Sequence, residues 1–307
     1  MFGKIGYYIF VLPLSYLPLV VLYLITDLLY LFLITFIPYR KKVIETNIRN
    51  SFPNKTNKEQ KRIKRRFYRH FTDLLAEGVK SLSISEEALR KRLIVANPEI
   101  MDDLYSKQKN VILVSGHYNN WELLVAGQGL LFKHIPVGIG MPMTSTFWDK
   151  KINERRSRFG MKVVHSKNYK NELKNLNNQL KAVLVLADQS PGNSNKSYWM
   201  EFLNQPTAVL FGTELMAHEM NYAVVFFLLH KTSRGKYQMQ LSLITEQPKK
   251  MGWGEITRKH TELLEQEINT IPYYWLWSHK RWKREVPDNL EVLKTEQRQR
   301  FNEKFHL

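Results

Sequence analysis

The sequence of 307 residues contains no cysteine. This absence excludes disulfide bonds, thiolate metal sites and a cysteine nucleophile, and it fits a reducing compartment. The sequence also lacks a glycine-rich phosphate loop, a cluster of metal ligands and the Gly-x-Ser-x-Gly turn that carries a serine nucleophile. We therefore expect no metal ion, no cofactor and no covalent intermediate on a serine or cysteine.

Acidic residues are scarce. The chain has 28 Asp and Glu against 46 Lys and Arg, which gives a net charge of +18. A surplus of that size attracts a polyanion. Composition alone leaves three kinds of partner open: nucleic acid, an anionic membrane surface, and an acidic protein or lipid headgroup.

The N-terminal residues 7–39 are apolar apart from Asp27 and a few hydroxyl groups. A run of about 20 apolar residues crosses a bilayer, and this run is longer. It lacks the short apolar core and small-residue cleavage site of a signal peptide. Because Pro13 and Pro18 interrupt the run, we predict a membrane helix from about Leu17, preceded by an interfacial segment. A buried or monotopic hairpin is the alternative.

Basic residues follow the apolar run directly. Positive charge after a span places the following chain on the cytoplasmic side, and it also attracts an anionic leaflet. A solvated helix face accounts for some of these charges. We predict an N-terminal membrane anchor over residues 1–39 and a catalytic domain over 40–307, with a basic helical lead-in over 40–96. The basic residues concerned are Arg40, Lys41, Lys42, Arg49, Lys55, Lys58, Lys61, Arg62, Lys64, Arg65, Arg66 and Arg69.

Short apolar runs alternate with helical patterns through the rest of the chain. Helices are predicted at 119–131, 147–159, 171–180, 207–220 and 256–270. This alternation indicates an α/β fold with a mixed, mostly parallel sheet flanked by helices. The predicted strands are residues 111–114, 161–164, 183–187, 223–229 and 238–244.

The segment Ser115-Gly-His-Tyr-Asn-Asn-Trp-Glu follows the first of these strands. His117 therefore lies at a strand end, where open α/β sheets place ligand-facing residues. If a helix starts near Asn119, Glu122 falls in its first turn and can reach back to the imidazole, orienting His117 as a general base. Two alternatives stay open. Asn119 and Glu122 also match a capping box, and a strand-end histidine is also compatible with a purely structural role.

The Gly-His-x4-Glu segment resembles the His-x4-Asp/Glu signature of glycerolipid acyltransferases. More narrowly, nearly the whole chain resembles the lipid A biosynthesis lauroyl/myristoyl acyltransferase family, which includes lysophospholipid-acyltransferase-like bacterial members. Six segments in the family's order make the resemblance specific. These are residues 28–53, 117–122, 155–160, 187–189, 205–208 and 274–282.

The resemblance implies a glycerolipid acyltransferase-like fold in the bacterial inner membrane, with the catalytic domain facing the cytoplasm. It implies an O-acyltransferase that moves a fatty acyl chain from a thioester, on acyl carrier protein, to a hydroxyl of a lipid A precursor or related membrane lipid. His117 would be the general base and Glu122 its orienting partner. The residues implied in substrate binding are Arg155, Arg156, Arg158, Asp188 and Gln189.

The polar loop 190–198 and residues 132–148 depart from the family pattern, which leaves the acceptor lipid open. Asp188 also suits a turn, and Arg156 also suits a solvated helix face. The aromatic and basic residues of 273–282 fit either nucleic-acid stacking or a membrane interface, and the apolar N-terminus favours the interface. We expect no nucleic-acid partner. The alternative function is a non-catalytic, membrane-tethered protein that binds anionic lipid or nucleic acid.

Overall fold

A computed structural model describes residues 2–36, 39–176 and 179–307. Its centre is a seven-stranded sheet. The strands are β1 (Leu93–Val95), β2 (Val111–Ser115), β3 (Ile135–Gly140), β4 (Lys162–His165), β5 (Lys181–Leu186), β8 (Ala223–Ser233) and β9 (Lys236–Thr245). They lie in the order β1-β9-β8-β2-β5-β3-β4, and neighbouring strands run parallel apart from the antiparallel pair β8 and β9.

A separate antiparallel hairpin pairs β6 (Tyr198–Phe202) with β7 (Gln205–Val209). The helical prediction for 207–220 is wrong at its start, because residues 207–209 pair in β7 and the helix begins only at Gly212. β3 lies within residues 132–148, the region in which the sequence departs from the family pattern. The predicted α/β fold with a mostly parallel mixed sheet flanked by helices is confirmed.

Helices cover both faces of the sheet. Those that follow the N-terminal region are α4 (Lys41–Ser51), α5 (Asn57–Lys80), α6 (Glu86–Arg90), α7 (Glu99–Ser106), α8 (Trp121–Gly127), α9 (Thr146–Arg156), α10 (Tyr169–Asn175), α11 (Gly212–Met220), α12 (Glu255–Thr270) and α13 (Leu290–Phe305). The central strand β2 is buried along its whole length, as a strand covered on both faces must be. α5 begins at a capping box between Thr56 and Glu59, which satisfies two amides at its N-terminus.

The N-terminal apolar run is divided into several short elements. α1 (Phe2–Gly6), a π-helical turn (Tyr7–Val11) and α2 (Leu12–Tyr16) precede α3 (Leu19–Thr35). Leu17 and Pro18 have extended backbones between α2 and α3, and at Leu17 the following proline disfavours the helical region.

Within the described ranges, no helix combines the length and the apolar character needed to cross a membrane. The predicted membrane helix is therefore not supported. α3 instead packs one side on α5 through Leu19, Leu22 and Tyr23, and Asp27 forms ion pairs with Arg69 and Arg234. Residues 37 and 38, at the predicted boundary between anchor and catalytic domain, lie outside the described residues. That division stays a prediction.

Candidate active site

The ends of two neighbouring parallel strands bring His117 and Asp188 together. β2 ends at Ser115 and β5 ends at Leu186, and the two strands pair in register along their length. The pairing continues beyond the strands, since the amide of Ala187 donates to the carbonyl of Ser115 at 2.8 Å. Carboxyl ends of parallel strands share one edge of a sheet, which is where such folds bind ligands.

The Asp188 carboxylate is held by three N–H donors. Oδ1 lies 2.6 Å from Nδ1 of His117, while Oδ2 accepts from the backbone amide of His117 and from Nε1 of Trp275, both at 2.8 Å. Because a carboxylate accepts the Nδ1 proton, the second ring nitrogen is left with its lone pair. This Nε2 lies 3.1 Å from Nε2 of Gln189. His117 can therefore take a proton at Nε2.

Electrostatics keep Asp188 ionised. Burial raises the pKa of this carboxyl, but the imidazole of His117 and the hydrogen bonds from His117 and Trp275 outweigh that effect and hold the pKa at about 2. A negative Asp188 stabilises the imidazolium that forms when His117 accepts a proton. The pair thus has the arrangement of an oriented general base.

Gly116 allows the close approach of these two residues. A Cβ atom at position 116 would lie 2.8 Å from Oδ2 of Asp188 and 2.5 Å from Cδ2 of Leu264. Both distances are shorter than real Cβ contacts, so a side chain here would push the carboxylate away from His117.

Glu122 does not contact His117, which corrects the expected orienting role. It lies in the first turn of α8, as predicted, but its carboxylate bonds to the guanidinium groups of Arg155 and Arg156 at the end of α9. The Arg156 contact, from Nη2 to Oε1, is 2.6 Å. Burial raises the pKa of Glu122, but the two arginines outweigh it and leave the pKa below its usual value.

The capping-box interpretation of Glu122 is also wrong. The cap of α8 is Asn120, whose Oδ1 accepts from the amide of Leu123 at 2.9 Å. Asn119 has a left-handed backbone with φ of 54°, and its side chain donates to the carbonyl of Leu229. The chain therefore makes an extra turn before α8 starts. As a result, Glu122 lies neither beside the His117 imidazole nor in a capping box with Asn119.

The other residues implied by the resemblance do not all contact His117. Gln189 contacts the imidazole of His117 directly, whereas Arg155 and Arg156 contact Glu122. Arg158 lies elsewhere and donates to the carbonyls of Ser81 and Ile84, at 2.8 and 2.9 Å, beyond the end of α5. Sequence reasoning missed the contact from Trp275 to Asp188. The aromatic segment 273–282 was singled out in the sequence as a membrane interface, not as part of the site.

An apolar cavity of about 420 Å³ opens beside Glu122. One of its walls is Trp121, whose ring packs edge-on against the His117 imidazole with 4.9 Å between centroids. A space of this size and apolar lining accommodates a hydrocarbon chain, and its Trp121 wall contacts the His117 imidazole. Its lining side chains include Tyr7, Val11, Leu74, Val79, Trp121 and Ile152.

Comparison with known proteins bears on what this site does. No curated protein matches the sequence. The family described as bacterial lipid A biosynthesis acyltransferase matches residues 2–284, which include every residue of the site. An acyltransferase needs a base to deprotonate its acceptor hydroxyl and an apolar space for the chain it moves, and both are present here. The chain belongs to the bacterial lipid A biosynthesis acyltransferase family.

Proposed function

We propose that the protein transfers a fatty acyl chain from acyl carrier protein to a hydroxyl group of a lipid A precursor or a related membrane lipid. His117 acts as the general base. The observation that carries this proposal is the His117–Asp188 pair, which lies at a strand end beside the apolar cavity. A membrane-tethered protein that only binds anionic lipid has no need of a buried carboxylate that orients an imidazole.

The proposed reaction uses the free nitrogen of His117. The acceptor hydroxyl takes the place of the Gln189 amide at Nε2, gives its proton to this nitrogen, and attacks the thioester carbonyl. The tetrahedral intermediate then collapses, the C–S bond breaks, and the imidazolium returns the proton to the carrier thiolate. Asp188 stabilises the charged imidazolium throughout. No bond to the enzyme is required.

Arg156 is the side chain we assign to the substrate oxygens. It is partly exposed, at 27%, and its five N–H donors exceed what the Glu122 carboxylate accepts. A guanidinium beside the thioester carbonyl would stabilise the developing oxyanion. Arg155, with a side chain 13% exposed, lines the apolar cavity together with Glu122, and we assign it to holding Glu122 at the cavity wall.

The acyl chain would occupy the apolar cavity. Moving hydrocarbon out of water contributes about 0.8 kcal/mol per methylene group. Trp121 forms both a wall of the cavity and a contact of His117, and this supports a binding mode in which the carbonyl end of the chain faces the base.

We propose that the protein works at the cytoplasmic face of the bacterial inner membrane. Exposed apolar side chains lie along α3 at helical spacing, and the net charge of +18 favours both an anionic leaflet and an acidic carrier protein. On α9, Lys150 has a side chain 75% exposed and can serve such a carrier. Nucleic acid has no part in this proposal.

The decisive experiment is acyl transfer by purified protein and by its His117→Ala variant. Labelled acyl-acyl carrier protein is the donor, and vesicles containing a lipid A precursor supply the acceptor. We expect the variant to lose about 10²–10⁴-fold in turnover, the usual effect of removing a general base. His165→Ala is the matched control, because His165 also ends a strand, β4, but is exposed and outside the site.

Two outcomes would contradict the proposal. Turnover of His117→Ala above a tenth of wild type would exclude the role of general base. No transfer by the wild type from acyl carrier protein, but transfer from acyl-coenzyme A, would replace the donor while keeping the chemistry.

A further inference from the structure

A second carboxylate is buried behind the site and takes no part in the reaction proposed above. Glu77 of α5 is 5% exposed. Its Oε1 accepts from the Tyr23 hydroxyl at 2.8 Å, and its Oε2 accepts from the Tyr237 hydroxyl at 2.7 Å and from Nδ2 of Asn120 at 2.5 Å. A buried carboxylate needs such donors, and here they come from three different elements: α3, β9 and the cap of α8.

Asn120 transmits the position of Glu77 to α8. Its Nδ2 donates to Glu77 while its Oδ1 accepts from the amide of Leu123, which is the cap of the helix that carries Trp121 and Glu122. A flipped amide would place an NH2 group against the Leu123 donor and an oxygen against the carboxylate. The carboxylate therefore selects the one amide orientation that caps α8.

The N-terminal region also contacts the Glu77 carboxylate. Tyr23 belongs to α3, and four residues later Asp27 forms ion pairs with Arg234, which also pairs with Asp73 one turn before Glu77 on α5. These contacts hold α3 against α5 at the level of Glu77. The apolar N-terminal helix is thus connected to the active-site helix through one carboxylate.

We propose that Glu77 is a positioning residue for acyl transfer, which acts by orienting Asn120 and so the first turn of α8. The link between Glu77 and turnover rests on the proposed function. In this position Glu77 sets where Trp121 meets His117 and where Glu122 meets its arginines. A displacement of about 1 Å at such groups costs on the order of 100-fold in rate.

An exchange of the two side chains tests this proposal. Asn120→Asp alone places two carboxylates in contact, so one must take up a proton or move away. Glu77→Gln together with Asn120→Asp restores both hydrogen bonds at the cap. The new amide at position 77 can donate to one oxygen of the new carboxylate at position 120, while the other oxygen caps Leu123. The Tyr237 hydroxyl can accept as well as donate, so it can adapt to the amide by rotation. Aspartate caps a helix about as well as asparagine.

Two measurements are made on each variant: turnover with saturating donor and acceptor, and amide hydrogen exchange of residues 121–127. We expect Asn120→Asp to lose about tenfold or more in turnover and to exchange faster in α8. The double variant should return to within about threefold of wild type and regain protection, because its cap is intact.

The control is Glu214→Gln. Glu214 is fully buried and accepts from the amides of Gly254 and Thr257 at the start of α12, so the variant makes the same chemical change away from α8. It should leave hydrogen exchange of α8 unchanged, while the start of α12, where a buried amide loses its acceptor, should exchange faster.

A double variant that does not fold, or that stays as impaired as Asn120→Asp, would overturn the proposal. Hydrogen exchange also separates the two hypotheses. If the wild type transfers no acyl chain, the proposed function fails, while the exchange data still decide whether Glu77 positions α8.

Discussion

At the scale of single residues, Asp188 determines the chemistry of the site. Each of its three partners is an N–H group, two from His117 and one from Trp275. Because all three partners donate, the side chain at position 188 must act only as an acceptor, as an ionised carboxylate does. Glu122, which lies much nearer to His117 in the sequence, instead bridges two arginines and offsets their mutual repulsion.

Asp188→Asn should lower turnover by about 10²–10⁴-fold while the protein stays folded. The amide must direct its NH2 group at one of three donors, so either the His117 tautomer changes or a buried donor loses its partner. Kinetics at saturating substrates measure the loss. The pH dependence of unfolding provides a second check. The pKa of Asp188 is about 2, below its ordinary value of 3.8, so the carboxylate stabilises the fold above about pH 4 and loses this effect as the pH falls towards 2.

The asparagine variant should lack that acid-dependent part of its stability. A variant with near wild-type turnover would show that His117 needs no carboxylate partner.

At the scale of elements, α13 follows the family-matched residues 2–284 and packs on α11. Phe301 and Phe305 enclose the ring of His218, with centroids 4.7 and 4.9 Å away. The side chain has no exposed surface, and burial lowers the pKa of His218 to about 4. The helix thus keeps a neutral histidine in an aromatic environment.

This burial predicts a pH dependence of stability. Between about pH 6.5 and pH 4 the unfolded chain binds a proton at His218 that the folded protein does not bind, so stability falls as the pH falls through this range. His218→Leu should reduce that slope, measured as melting temperature against pH. It should not abolish the slope, because burial also lowers the pKa of His260 to about 4. Equal slopes for variant and wild type would show that α13 opens easily and leaves His218 in water.

At the scale of the whole molecule, exposed apolar surface is distributed unevenly. Large apolar side chains are exposed mainly over the first 39 residues, and on α3 they recur at helical spacing. The opposite side of α3 packs on α5. We expect the exposed side to contact the membrane. The exposed residues at helical spacing on α3 are Val20, Leu24, Leu28 and Leu31.

Replacing Leu24 and Leu28 together by Ser should weaken binding to anionic vesicles by about tenfold or more, since each buried leucine contributes about 1.5–3 kcal/mol. The melting temperature should change little, because both side chains are exposed, at 61% and 69%. Co-sedimentation with vesicles measures the binding. Val286→Ser with Val292→Ser is the control, as both valines are exposed far from α3 in the sequence. Equal losses in the two double variants would contradict a specific membrane face on α3.

The local pattern of apolar residues was sufficient to predict the central strands and the fold class of this protein. The apolar run 111–114 predicted a strand buried on both faces, and the same pattern located β5 and β8, because burial on two faces leaves no polar positions. The position of His117 at a strand end followed from the same pattern. So did the alternation of strands and helices that indicates the fold.

Only the tertiary structure decided which groups meet. The partner of His117 is 71 residues away and reaches it because β2 and β5 pair as neighbours, and strand order is not encoded in any local period. Glu122 likewise meets α9, which the chain reaches only after β3. In the N-terminal run, composition indicated one long apolar segment. Its prolines predicted the division that the backbone shows at Leu17 and Pro18, but the packing of α3 on α5 and the ion pairs of Asp27 with distant arginines depend on the tertiary structure.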